Sequence, residues 1–138
     1  MFLTVKNKSL DITHLKSVIF DMDGTLIESE HVWAEAKKHI AQIHGQKVSD
    51  EELQKFIGRG ISDFIDEVFG PTTLFKKEMI KQEIHVRALD NYRAKIRVIP
   101  NAIKILNDFS SSKIRIAICS SGPLKAIELS LEALKSTK

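Results

Sequence analysis

The sequence predicts an α/β fold in which two parallel strands of one sheet are separated along the chain by an all-helical insert. Two short apolar runs predict the strands, because each ends abruptly in a polar loop: Ser-Val-Ile-Phe at residues 17–20 and Ile-Arg-Ile-Ala-Ile-Cys at residues 114–119. The 138-residue chain is 43% hydrophobic and 28% charged, as is typical of one soluble globular domain. We therefore expect one core that contains a helical insert.

The first strand leads into a loop that carries two carboxylates. Residues 21–25 read Asp-Met-Asp-Gly-Thr, and ligands of open α/β sheets bind outside the carboxyl ends of the strands. In such a loop one carboxylate can attack an electrophile while its neighbour gives or takes a proton, and with a backbone carbonyl they can hold Mg²⁺. The alternatives are an Asx turn without chemistry and a helical calcium loop. The latter is disfavoured because Gly24 is fourth rather than sixth.

The middle of the chain carries helical patterns only. Ser49 followed by Glu52 predicts a capping box at the start of one helix, and Gly-Arg-Gly at residues 58–60 interrupts the pattern. A long helix is expected from about Leu74 to Ile96. Its expected apolar face is made of Phe75, Met79, Leu89, Tyr92 and Ile96.

The second strand ends in hydroxyl groups and a helix. Ser120, Ser121 and Gly122 follow the strand, and Pro123 can open a helix at its first position. Hydroxyls and free backbone N–H groups at the positive end of a helix dipole form an anion site, and phosphate is the commonest such anion. The helix is expected to pack on the sheet through Leu124, Ile127, Leu131 and Leu134.

The charge balance and the single cysteine exclude several function classes. Lys and Arg number 21 against 18 Asp and Glu, and a formal charge of +3 is too mild to indicate nucleic-acid binding. Cys119 has no partner for an intrachain disulfide and is expected to be a small buried residue. The longest apolar stretches are too short to span a bilayer. We expect a cytoplasmic protein without nucleic-acid or membrane partners.

The order of these motifs resembles the haloacid dehalogenase-like hydrolases. The first family motif, an apolar strand followed by Asp-x-Asp-Gly-Thr/Val-Leu/Ile, is matched by residues 17–30, and the second, a strand ending in Thr or Ser, by residues 116–120. The resemblance implies a Rossmann-like core of parallel strands, residues 1–32 and 98–138, and an inserted helical cap, residues 33–97. By cap type it points to the helical-cap (C1) branch of β-phosphoglucomutase-like enzymes and sugar-phosphate phosphatases.

The resemblance also implies roles for the two carboxylates. Asp21 would be the nucleophile that takes up the phosphoryl group, and Asp23 would protonate the leaving oxygen and then activate water. Both would hold Mg²⁺, the second in part through its backbone carbonyl. Because the family's dehalogenases lack the second Asp, its presence favours phosphoryl transfer, by a phosphatase or phosphomutase-like enzyme of small phosphorylated metabolites. The implied phosphate-binding positions are Met22, Asp23, Ser120, Ser121 and Gly122.

The helical insert is expected to determine substrate specificity. In similar proteins a Gly-containing turn between cap helices reaches over the active site, and Gly58 and Arg59 lie where that turn would be. Arg59 can pair with a substrate phosphate or carboxylate, or it can be a solvated arginine on an exposed turn.

Two further family motifs are expected beyond the second strand: a Lys or Arg that steadies the phosphate, and an acidic pair that completes the metal site. Only the 18 residues from Ser121 to Lys138 follow Ser120, so neither motif is expected in this chain. The two strands would then be sheet edges with partly uncovered apolar faces, which favours self-association or a partner chain that completes the sheet. The chain is then expected either to have little activity alone or to complete its sheet with another chain. The alternative function is that of a non-catalytic, truncated family member or interaction partner that retains the fold and weak Mg²⁺ and phosphate affinity.

Overall fold

A computed structural model of the chain describes residues 2–5 and 8–137. Within them, strands and helices alternate at both ends and helices fill the middle, which confirms the predicted α/β class. The strands are β1 (Phe2–Val5), β2 (Lys8–Asp11), β3 (Ser17–Asp21), β4 (Ile27–Glu28), β5 (Arg97–Val98) and β6 (Arg115–Cys119). The helices are α1 (Glu30–Ile43), α2 (Asp50–Gln54), α3 (Ile61–Phe69), α4 (Leu74–Leu89), α5 (Tyr92–Lys95), α6 (Ala102–Ser111) and α7 (Leu124–Ser136).

The central sheet consists of β3 and β6, which pair in parallel as the sequence predicts. Their register runs from Ser17 opposite Arg115 to Asp21 opposite Cys119. Because the strands are parallel, their carboxyl ends lie at the same edge, and the two polar loops that follow them are neighbours. Two small antiparallel ladders, β1 with β2 and β4 with β5, were not predicted from the sequence.

The described part of the chain covers only one face of this sheet. Val18 and Phe20 point to the covered side and pack against an apolar cluster that includes Phe109 of α6. The opposite face exposes Ile19 to 69% and also exposes Cys119. The expectation that Cys119 is buried is therefore wrong, because its side chain belongs to the face that no described element covers.

The helical part, α1 to α4, has an apolar core of its own. Trp33 packs both against this core and against a second cluster around Met22, Leu26 and Ile27, so it lies where the two meet. The helical core is built from Ala36, Ile40, Ala41, Val48, Leu53, Phe56, Phe64, Ile65, Ile80, Ile84 and Ala88.

The helix boundaries follow the local signals in part. The capping box is confirmed, with the Ser49 amide donating to Glu52 at 2.8 Å and the Glu52 amide donating to the Ser49 hydroxyl at 3.2 Å. The single long helix is wrong, because Asn91 adopts a left-handed φ of 61° and separates α4 from α5. No described helix has the length and apolar character needed to cross a membrane.

Two predicted apolar faces are displaced. In α4 the buried residues are Ile80, Ile84 and Ala88, whereas Phe75 is 81% exposed. Successive helical residues are rotated by about 100°, so Phe75 lies on the opposite side from Ile80. In α7, Leu134 at the end of the predicted apolar face is buried, as predicted, whereas Leu124 at the beginning of the helix is exposed.

Candidate active site

The loop after β3 is shaped by one glycine and one carbonyl group. Gly24 has a left-handed φ of 73°, and its amide donates to the Ile27 carbonyl at 2.8 Å. The Met22 carbonyl accepts from the amides of Leu26 and Ile27 at 2.9 and 3.0 Å, and the Met22 side chain is buried. The tight turn leaves the flanking carboxylates accessible, with Asp21 exposed.

Asp23 links the two loops through hydroxyl groups. Ser29 donates to Asp23 Oδ1 at 2.5 Å, and Ser120 donates to Oδ2 at 3.1 Å. The Ser120 hydroxyl in turn accepts from the Gly122 amide at 3.0 Å. Three predicted residues, Asp23, Ser120 and Gly122, are therefore joined in one hydrogen-bonded network, whereas the Asp21 side chain makes no hydrogen bond within the described residues.

Gly122 permits this close approach. A Cβ atom at this position would lie 3.2 Å from Ser120 Oγ and 3.8 Å from Asp23 Oδ2. Any side chain would therefore press on the hydroxyl that contacts Asp23. Ser121 is exposed and lines the cleft beside Gly122.

Backbone groups of the first loop remain free for a ligand. Within the described residues, the amide of Asp23 donates no hydrogen bond and the Asp23 carbonyl accepts none, whereas the Met22 amide directly follows the last residue of the β3–β6 ladder. Free amides suit an anion, whereas a carboxylate beside a free carbonyl supplies the hard oxygen atoms that Mg²⁺ takes. Mg²⁺ is usually held by one or two carboxylates together with water and substrate phosphate, so this donor set fits it. No cluster of three or more His, Cys, Asp or Glu residues suited to a metal occurs in the described part of the chain.

The two carboxylates open into a cleft between the sheet edge and the helices. Its volume of about 530 Å³ lies in the range of small-molecule sites. Ser120 does not line the cleft itself, but its hydroxyl donates to Asp23, which does. The lining residues are Asp21, Asp23, Glu30, Trp33, Lys37, Gly58, Arg59, Gly60, Ile61, Ser62, Lys81, His85, Ser121, Gly122 and Pro123.

Gly58 and Arg59 thus lie over the cleft, but the guanidinium already has partners. Arg59 donates to Glu67 at 2.9 Å, lies 3.5 Å from Asp63, and stacks over the Phe56 ring at 5.2 Å. The hydrogen bond to Glu67 raises the pKa of Arg59. Arg59 is held by α3, and a substrate anion would have to compete with these carboxylates.

Two side chains at the site were missed by the sequence analysis. Ser29 is fully buried directly before α1, where a serine is ordinarily a helix cap, yet its hydroxyl makes no capping bond and contacts Asp23. Lys37 is buried although it lies within an otherwise ordinary amphipathic helix. Neither contact has a local signal, because each depends on how α1 is placed against the loop after β3 or against α3.

The fold and this site define an α/β protein with an aspartate loop at the sheet edge. Residues 18–138 match the sequence model of the haloacid dehalogenase-like hydrolase family. The chain belongs to this family, as the motif at residues 17–30 predicts.

Several curated relatives of the chain are named phosphatases. Validoxylamine A 7'-phosphate phosphatase of Streptomyces hygroscopicus subsp. limoneus is 28% identical over 123 residues, which is 86% of this chain and 56% of that protein. A phosphoglycolate phosphatase of Cereibacter sphaeroides is 28% identical over 117 residues, which is 81% of this chain and 54% of that protein. The chain spans about half the length of these relatives.

Solved structures show the same fold. A family IA, variant 3 hydrolase from Entamoeba histolytica has a TM-score of 0.75 at 19% identity, covering 86% of this chain and 55% of that one. CbbY from Rhodobacter sphaeroides, solved in complex with xylulose-1,5-bisphosphate, has a TM-score of 0.71 at 19% identity, covering 86% of this chain and 56% of that one.

Proposed function

We propose that this chain is the nucleophile-bearing part of a cytoplasmic, Mg²⁺-dependent phosphoric monoester hydrolase that acts on small phosphorylated metabolites through an aspartyl-phosphate. The observation that carries the proposal is that the two loops meet at one cleft: Asp23 is 3.1 Å from Ser120, and Asp21, Asp23 and Ser121 line the same cleft. The names of the relatives support a phosphatase.

The two carboxylates divide the chemistry between them. A carboxylate oxygen of Asp21 attacks phosphorus, a new P–O bond forms, and the bond from phosphorus to the ester oxygen breaks. Asp23 gives its proton to the departing oxygen. Asp23 then takes a proton from water, whose oxygen attacks phosphorus and releases inorganic phosphate from Asp21. This sequence requires Asp21 ionised and Asp23 protonated at the first step.

Backbone groups hold the phosphoryl oxygens during both steps. In this proposal the donors are the amides of Met22 and Asp23 and the exposed Ser121 that lines the cleft. The Ser120 hydroxyl and the Gly122 amide already donate to Asp23 and to Ser120, so they shape the loop. When bound to the Asp21 carboxylate and the Asp23 carbonyl, Mg²⁺ neutralises phosphate charge. In this proposal the helices of residues 33–97 act as the cap that selects the substrate, and residues 1–32 and 98–138 form the core.

The direct test is hydrolysis of 4-nitrophenyl phosphate by the purified 138-residue chain with Mg²⁺. We expect turnover that a chelator abolishes and that added Mg²⁺ restores. Turnover that persists unchanged in chelator would contradict the metal-dependent mechanism.

A second candidate is a binding protein that holds phosphate and Mg²⁺ without turnover. The binding protein is favoured by the small number of metal ligands at the site. The described residues offer the two carboxylates of Asp21 and Asp23 but no cluster of three or more metal-binding side chains. It predicts that inorganic phosphate binds in calorimetry while 4-nitrophenyl phosphate is not hydrolysed, and that the Asp21→Asn variant still binds phosphate.

We also propose that further polypeptide covers the open face of the β3–β6 sheet. Support comes from the 69% exposure of Ile19, from the exposed Ala117 opposite it, and from the length of the relatives, which is about twice that of the chain. In the isolated 138-residue chain a second copy takes this place, because bare edge strands with apolar faces associate.

Ser29→Ala tests whether the buried hydroxyl positions Asp23. Loss of its bond to Asp23 is expected to lower kcat about 10-fold with KM unchanged, and to lower the free energy of unfolding by about 1 kcal/mol. The control is Ser49→Ala, since the Ser49 hydroxyl caps α2 and does not line the cleft. It should lose stability without losing kcat. Equal kcat losses in the two variants would argue for a general packing effect.

A further inference from the structure

The helical side of the cleft presents three basic side chains: Lys37 from α1, Arg59 from the turn before α3, and Lys81 from α4. Arg59 is paired with Glu67, and Lys81 lies 3.7 Å from Glu78. Within the described residues, Lys37 has no carboxylate within 4.0 Å. It is therefore the basic group of this cleft whose charge is not already paired.

Lys37 is also deeply buried, with a relative exposure of 5%. Its ammonium donates one long hydrogen bond, 3.4 Å, to the Phe56 carbonyl and lies 5.8 Å from the centre of the Phe64 ring. An ammonium has three donors, so this environment leaves it under-satisfied. Burial accordingly lowers the pKa of Lys37, an effect that Arg59 reinforces and Glu30 opposes. An anion in the cleft would supply the missing compensation.

The position of Lys37 suits an anion that is carried by the same molecule as the reacting phosphate. Along α1 it lies about 12 Å from Ser29, which contacts Asp23. Asp21 and Lys37 line the same cleft, whose volume of about 530 Å³ lies in the range of small-molecule sites. One small molecule in this cleft can therefore contact both residues.

We infer that Lys37 is a specificity-determining residue that binds a second oxyanion of the substrate, at the end opposite the reacting phosphate. The inference rests on the proposed function and narrows its substrate class to phosphate monoesters that also carry a carboxylate or a second phosphate. Arg59 has no such role while its partners are Glu67 and Asp63.

The test compares phenyl phosphate with 4-carboxyphenyl phosphate, which differ only by the distal carboxylate. Dissociation constants are measured by calorimetry in the Asp21→Asn background, so that neither ester is turned over. We expect the carboxylated ester to bind about 10-fold more tightly, and Lys37→Met to remove this preference while phenyl phosphate binds as before. The matched control is Lys38→Met, because Lys38 is exposed and paired with Asp50.

Each outcome decides a separate point. Equal binding of the two esters before the Lys37 substitution, or a preference that survives it, would overturn the inference and leave the phosphatase proposal intact. Failure of both esters to bind would overturn the phosphatase proposal and the inference with it. If Lys37→Met loses phenyl phosphate as well, Lys37→Arg decides, because it keeps the charge: a retained preference supports the inference and a lost one overturns it.

Discussion

Asp21→Asn is expected to reduce hydrolysis of 4-nitrophenyl phosphate to the uncatalysed level, a loss of at least about 10³-fold in kcat. The amide has the shape of the carboxylate but lacks the charge and nucleophilicity needed to attack phosphorus. Because Asp21 is exposed and makes no hydrogen bond through its side chain within the described residues, the folded state should be unaffected. Initial rates and thermal unfolding of the same preparations measure both effects.

The matched control is Asp50→Asn, because Asp50 is an exposed carboxylate that is paired with Lys38 and does not line the cleft. It should retain the parent rate. Retained activity in Asp21→Asn would exclude the aspartyl-phosphate route, whatever the overall family resemblance.

Self-association of the isolated chain through the open sheet face is the second large expected effect. The weight-average mass in sedimentation or light scattering should rise above the 15.6 kDa of the monomer as the protein concentration increases. Ile19→Lys should restore the monomer, because it places a charge in the middle of the apolar face of β3.

Val86→Lys is the control for this experiment. Val86 is exposed to 69%, the same fraction as Ile19, but lies on α4, away from the sheet. A parent chain that stays monomeric at all concentrations, or an equal effect of the two substitutions, would contradict association through the sheet.

The sequence predicted those parts of the fold that have local causes. The parallel strands, the capping box at Ser49 and the carboxylate loop all follow from short patterns whose chemistry is complete within a few residues. The break between α4 and α5 could not be predicted in this way. It depends on the left-handed conformation of Asn91, which helical periodicity does not reveal. The exposure of Phe75 was missed since alternative apolar stripes share the same helix, and the packing of α4 on α1 selects between them.

The residues of the candidate site likewise fall into those that local sequence patterns predict and those that depend on tertiary packing. Asp21, Asp23 and the loop at Ser120 were predicted because residues at the ends of adjacent parallel strands meet at one sheet edge. The contacts of Ser29 and Lys37 were not, because a buried serine or lysine is identified only when its tertiary neighbours are known. The glycines of residues 58–60 predicted a break between helices, and the family resemblance placed this turn over the cleft, but neither indicated the pairing of Arg59 with α3.

Detection of the covalent intermediate tests the central claim most directly. The chain is mixed with phenyl phosphate and Mg²⁺, quenched in acid during turnover, digested and mapped by mass spectrometry. The account predicts one phosphoryl group on the Asp21 side chain, removable by hydroxylamine as an acyl phosphate. Turnover without such a group, or a phosphoryl group on Asp23 or Ser120 instead, would contradict it.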